Sequence, residues 1–182
     1  HNPNVSLLAA VFVYGGITMN TKQTAKELFN KAVSAFVDDQ YDDSVEFLTK
    51  ALELDPADKL AVITRGTAFL KQEKLSEALA DFDRAIKLDP QHAGTFHKRG
   101  LVLEKLGNYE DAIREFYHAI ALNPEYGAAY FSRATLHTKL SNADAAMEDM
   151  QMVTHLGNRN LESYVNDNNV WHTQHMRVED AM

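Results

Sequence analysis

The chain has 182 residues, 45% hydrophobic and 24% charged, which suits one packed domain and excludes a disordered tail. Its lack of cysteine excludes a disulfide framework, thiolate metal sites and a cysteine nucleophile. A formal net charge of −8 excludes a broad phosphate-binding surface, because nucleic-acid affinity comes from neutralising phosphates with Lys and Arg, but it still allows a local basic groove.

Residues 5–17 are apolar except for Ser6, Tyr14, Gly15 and Gly16. They have no basic flank and fall short of the roughly 20 residues that cross a bilayer, so they are read neither as a signal peptide nor as a membrane span, and a cytoplasmic location is expected. Met19-Asn20-Thr21-Lys22 reads as a natural start, so residues 1–18 are assigned to a non-domain, vector-derived or upstream segment. A fragment of a longer chain, or an apolar arm docking on a groove or a second subunit, are the alternatives.

After this segment the expected helices come in pairs: 22–38 with 41–54, 58–72 with 75–88, 92–106 with 109–122, and 126–140 with 143–156. Asp38-Asp39-Gln40, Gly107-Asn108 and Ser141-Asn142 separate the partners, and each proline stands where a new pair begins. Within 109–122, Ala112, Ile113, Phe116, Ala119 and Ile120 form the i, i+3, i+4, i+7, i+8 stripe of an amphipathic helix, read as core. Acidic pairs such as Asp81 with Asp83, or Glu148 with Asp149, are read as solvated faces of the second helices. Leu161, Tyr164, Val165 and Trp171 fall at helical offsets with Asn158 or Asn160 as N-cap, so 159–182 is read as a capping helix and tail, with Trp171 as an alternative partner anchor.

Leu54-Asp55-Pro56, Leu88-Asp89-Pro90 and Leu122-Asn123-Pro124 recur every 34 residues, placing repeats at about 25–58, 59–92, 93–126 and 127–158. Small residues hold the eighth place (Ala32, Gly66, Gly100, Ala134) and large apolar ones the twenty-fourth (Leu48, Phe82, Phe116, Met150). Glycine inside a helix costs about 1 kcal/mol relative to alanine, so Gly66 and Gly100 call for close approach of a neighbouring helix. A unit this short cannot bury its own apolar face and must stack on copies of itself.

The pattern resembles the tetratricopeptide repeat (TPR) family over about residues 22–158. Arg99-Gly100, Leu106-Gly107-Asn108-Tyr109, Glu110-Asp111-Ala112-Ile113, Phe116, Ala119-Ile120 and Leu122-Asn123-Pro124 carry the resemblance. The fourth repeat departs from it, with Asn158 in place of Pro and Met150 in place of Phe. The resemblance implies an all-α fold, a right-handed superhelical α-solenoid of four TPR hairpins (residues 19–158) plus a C-terminal capping helix. It also implies a concave groove lined by the first helix of each pair. That groove would show Phe29, Val33, Ile63 and Thr67 in its first half and His97, Lys98, Leu101, Phe131 and Thr135 in its second. Lys71, Lys105 and Lys139 would form a ladder along one rim, and Glu104 would be the only carboxylate.

The family's chaperone-binding clamp of Lys and Asn, Asn, then Lys and Arg is not reproduced. The corresponding residues are Phe29 and Val33, Thr64, then Gly94 and Lys98. Arg65, Arg99 and Arg133, one place further on, are read as structural. No glycine-rich phosphate loop, nucleophile elbow or HExxH motif is present, and the eight histidines show no metal-ligand spacing, so neither an enzyme, a cofactor nor a metal is expected. The expected function is a non-catalytic scaffold holding a partner's peptide or helix, acidic and partly apolar. The alternative is a self-assembling structural protein that forms homo-oligomers through its ends or convex face.

Overall fold

A computed structural model describes the backbone of residues 4–167 and the side chains of residues 21–160. Among these residues eight helices follow one another: α1 (Asn4–Val37), α2 (Tyr41–Leu54), α3 (Lys59–Lys71), α4 (Leu75–Leu88), α5 (Ala93–Lys105), α6 (Tyr109–Leu122), α7 (Gly127–Lys139) and α8 (Ala143–Asp167). Each packs on the next, and α1, α3, α5 and α7 also meet one another in that order, so the first helices of the hairpins form the inner wall of the solenoid. The expected second helices 41–54, 75–88 and 109–122 coincide with α2, α4 and α6.

Both terminal helices are longer than the sequence pattern predicts. Residues 4–18 are helical and continue α1 toward the N-terminus. Likewise α8 runs unbroken through Asn158 and Asn160 to Asp167, so no new helix is capped there and the segment expected to begin a cap lengthens the last hairpin instead. The reason lies in the missing proline: where Pro56, Pro90 and Pro124 end the earlier helices, Asn158 leaves every backbone donor in place. Trp171 lies outside the described residues.

Two turn devices repeat with the period. Within each hairpin one residue adopts positive φ: Asp39 (59°), Glu73 (60°), Gly107 (81°) and Ser141 (61°). The N–H of the following residue closes back on the helix, as Asn108 N–H does to the Leu103 carbonyl at 2.9 Å. Between hairpins, Asp55, Asp89 and Asn123 each accept the backbone N–H two residues on, at 3.2, 3.2 and 3.0 Å. The Asp/Asn-Pro pair thus builds an Asx turn around a residue that cannot extend the preceding helix.

The core sits between the two helices of each hairpin and the hairpin that follows. Phe82, Phe116, Leu48, Leu136, Val62 and Val102 are fully buried. A Cβ added at Gly66 would lie 3.0 Å from Cε1 of Phe82, and one at Gly100 only 2.5 Å from Cε1 of Phe116. The close approach inferred for these glycines is therefore that of a phenyl ring from the second helix of the same hairpin.

Arg65, Arg99 and Arg133 are structural, as expected, but the acidic residues were misjudged. Asp81 and Asp149 are buried, at 5% and 4% exposure, and each is gripped by two nitrogens of one guanidinium. Arg65 Nε and Nη2 lie 2.8 and 2.7 Å from Asp81, and Arg99 holds Glu115 in the same way at 3.0 and 2.7 Å. Arg65 and Arg99 also reach back to the preceding hairpin, to Thr49 Oγ1 at 3.2 Å and Asp83 at 2.8 Å, so each ties two repeats together. The carboxylates lie sixteen residues from their arginines, beyond the reach of any pattern along one helix.

Candidate functional site

A groove of about 730 Å³ opens on the inner wall, framed by α3, α5 and α7 with the turn that follows α3. It brings together seven of the expected residues: Thr67 and Lys71 from α3, Lys98, Leu101, Glu104 and Lys105 from α5, and Lys139 from α7. They meet because 34 residues is one structural repeat, so Lys71, Lys105 and Lys139 occupy the last position of three stacked helices.

The four lysines are not equivalent. Lys105 Nζ is 2.7 Å from Glu73, and Lys139 Nζ stands 4.3 Å from the ring centroid of Tyr109, a cation–π contact. Lys98 is half-buried, and burial first, then the charge of Lys71, lowers its pKa from the ordinary lysine value. Among the described residues, Lys71 and Lys98 have no ion pair or hydrogen bond.

Two expected groove residues belong to the core. Ile63 is 8% exposed and packs with Leu48 and Leu52. His97 is 9% exposed, with Nε2 2.9 Å from Ser132 Oγ, Nδ1 3.2 Å from the Tyr126 hydroxyl, and its ring 5.5 Å from that of Phe116. Burial, helped by Lys98, lowers its pKa to about 4, so at neutral pH it is an uncharged brace between α5 and α7. Both residues sit at the fifth place of a first helix and are covered by neighbouring hairpins, whereas Phe131, at the same place of the last first helix, is exposed.

Phe29 is half-buried against Ala32 and Leu48, whereas Val33 is 38% and Phe131 55% exposed. Thr135 is exposed and donates its hydroxyl to the Phe131 carbonyl at 2.9 Å. None of these four lines the pocket, although all lie on first helices. The pocket also holds Glu73 and Tyr109, which the sequence pattern missed because it counted only first-helix positions. The signal was their place flanking the turn: Glu73 follows Lys71 by two residues, and Tyr109 opens α6.

Tetratricopeptide repeat family models match residues 64–137 and 29–93, together spanning three hairpins and the intervening turns described above. The chain belongs to the tetratricopeptide repeat family. Among solved structures, the TPR domain of Arabidopsis OM64 superposes with a TM-score of 0.64 at 25% identity, covering 65% of this chain and 98% of that one. MamA gives a TM-score of 0.72 at 21% identity, covering 84% and 90%, a likeness of fold. Hsc70-interacting protein 1 of Drosophila melanogaster is 38% identical over 61 residues, 34% of this chain and 16% of that protein. The TPR repeat-containing thioredoxin TDX of Arabidopsis thaliana is 34% identical over 65 residues, 36% of this chain. The matched stretch spans about a sixth of the length of these curated relatives. Among the described residues no helix is long and apolar enough to cross a membrane.

Proposed function

We propose that this TPR array is a non-catalytic scaffold whose inner groove holds an acidic, partly apolar segment of another protein. The observation that carries this reading is the groove itself, where four lysines face the two carboxylates Glu73 and Glu104, and where, among the described residues, Lys71 and Lys98 make no ion pair beside Leu70 and Leu101 in a protein of net charge −8. Apolar side chains flanked by unpaired ammonium groups match a ligand that brings carboxylates and a few hydrophobic residues. Rim charges govern encounter and buried contacts govern lifetime.

The Hsc70-interacting relatives support protein binding as a class. The chaperone-type clamp is not part of the proposal, because Phe29, Val33, Thr64 and Gly94 supply no charge at four of its five places. Selection from a displayed random-peptide library with the full chain tests the reading. Enriched peptides are expected to be acidic with apolar residues, and Lys98→Glu with Lys105→Glu is expected to weaken them and flatten their salt dependence. Enrichment of basic peptides, or affinity unchanged by both reversals, refutes it.

A further inference from the structure

We infer that the ligand of this groove is divided along its length, with an apolar part lying on the first repeat and an acidic part lying on repeats two to four. The inference rests on the groove reading above and adds the order of chemistry within the bound segment.

The argument starts from one row of equivalent positions. The last residue of each first helix is Val37, Lys71, Lys105 and Lys139, so the rim is basic in three repeats and apolar in the first. Val37 is 74% exposed, and Val33, one turn earlier on the same face, is 38% exposed. Large aliphatic groups left this open on the inner wall gain free energy from any apolar cover.

Charge excludes the reverse order. Exposed Asp38 and Asp39 directly follow Val37, so a carboxylate-rich stretch placed there meets like charge. Lys26, at the second place of the first repeat, lies eleven residues from Val37, about 16 Å along the helix. In the second half, Lys71 and Lys98 have no counter-ion among the described residues, and the partial burial of Lys98 beside Lys71 makes an incoming carboxylate more favourable than at a solvated lysine. Glu73 already pairs with Lys105 and Tyr109 faces Lys139, so Lys71 and Lys98, the two groove lysines with no partner among the described residues, set where the acidic part begins.

The test uses labelled synthetic peptides and fluorescence anisotropy with the full chain. Three have the same composition: a leucine–valine block followed by a glutamate block, the same blocks in reverse order, and an alternating version. A fourth replaces every glutamate of the preferred block peptide with glutamine. One block order is expected to bind about tenfold more tightly than the alternating peptide. Lys98→Gln is expected to weaken that block peptide several-fold while leaving the glutamine version unchanged. Val37→Ser with Val33→Ser, at exposed positions of α1, is expected to weaken both block and glutamine peptides. Equal affinity for block and alternating peptides, or equal sensitivity of the acidic and glutamine peptides to Lys98→Gln, overturns the divided arrangement while leaving the groove as the binding site. Affinity that ignores Lys98, Val37 and Val33 altogether overturns both readings.

Discussion

Alanine at position 100 should destabilise the protein when residue 116 is phenylalanine and stabilise it when residue 116 is leucine. Repeats two and three pair Gly66 with Phe82 and Gly100 with Phe116, whereas repeat one places Ala32 opposite Leu48 in the same buried cluster. A methyl at Gly100 would sit 2.5 and 2.8 Å from two carbons of a ring with no exposed surface, and 3.2 Å from Glu115 Cβ. Such overpacking costs about 1–3 kcal/mol, offset by about 1 kcal/mol of helix propensity, so Gly100→Ala should lose about 1 kcal/mol net. In Phe116→Leu the ring carbons are gone, and the same alanine should then gain up to about 1 kcal/mol. Gly66→Ala is the built-in control, because its nearest ring contact is 3.0 Å and its cost should be smaller. Urea denaturation followed by circular dichroism at 222 nm, on all four members of the cycle, measures the coupling. An equal effect of Gly100→Ala in both backgrounds would refute the ring-against-glycine explanation.

Phe116→Ala should cost about 3–5 kcal/mol and, because a solenoid is stabilised by its interfaces, loosen neighbouring repeats as well, visible as faster hydrogen exchange in α5 and α7. Arg65→Ala leaves Asp81 buried without its cation and should cost about 3 kcal/mol in urea denaturation, far more than loss of the exposed Lys50–Glu46 pair, which should cost under 1 kcal/mol. Ser141→Gly relieves a positive φ and should raise stability by about 1 kcal/mol, while Gly107→Ala should lower it by a similar amount. For His97 the unfolded ring protonates near its ordinary 6.5 and the folded ring only near 4. Its contribution, on the order of 3 kcal/mol, is therefore full above pH 6.5 and lost as pH falls toward 4. His97→Gln should flatten that limb of the stability–pH curve, and an unchanged limb would contradict a buried neutral histidine.

The repeat length, the helix pairs and the small-residue positions were legible in the sequence because they depend on local spacing. Three second helices matched their expected bounds, since an Asx-Pro turn ends each of them and a left-handed residue precedes each. What escaped was set by contacts across the stack. Asp81 and Asp149 looked like solvent-facing carboxylates until arginines sixteen residues away were seen to bury them. His97 and Ile63 occupy positions that point inward in general terms, but Tyr126 and Ser132 cover His97 here and the Leu48–Leu52 cluster covers Ile63. Glu73 reaches the groove from a turn, a place that helix periodicity does not describe.

Amide chemical-shift mapping of the full chain, titrated with the preferred acidic–apolar peptide, tests the central claim most directly. The account expects the largest saturable shifts at Thr67, Lys71, Lys98 and Leu101 on α3 and α5, with α4 and the part of α6 beyond Tyr109 nearly silent. Shifts concentrated on the outer faces of α4 and α6, with Lys98 and Leu101 unmoved at saturation, would contradict it.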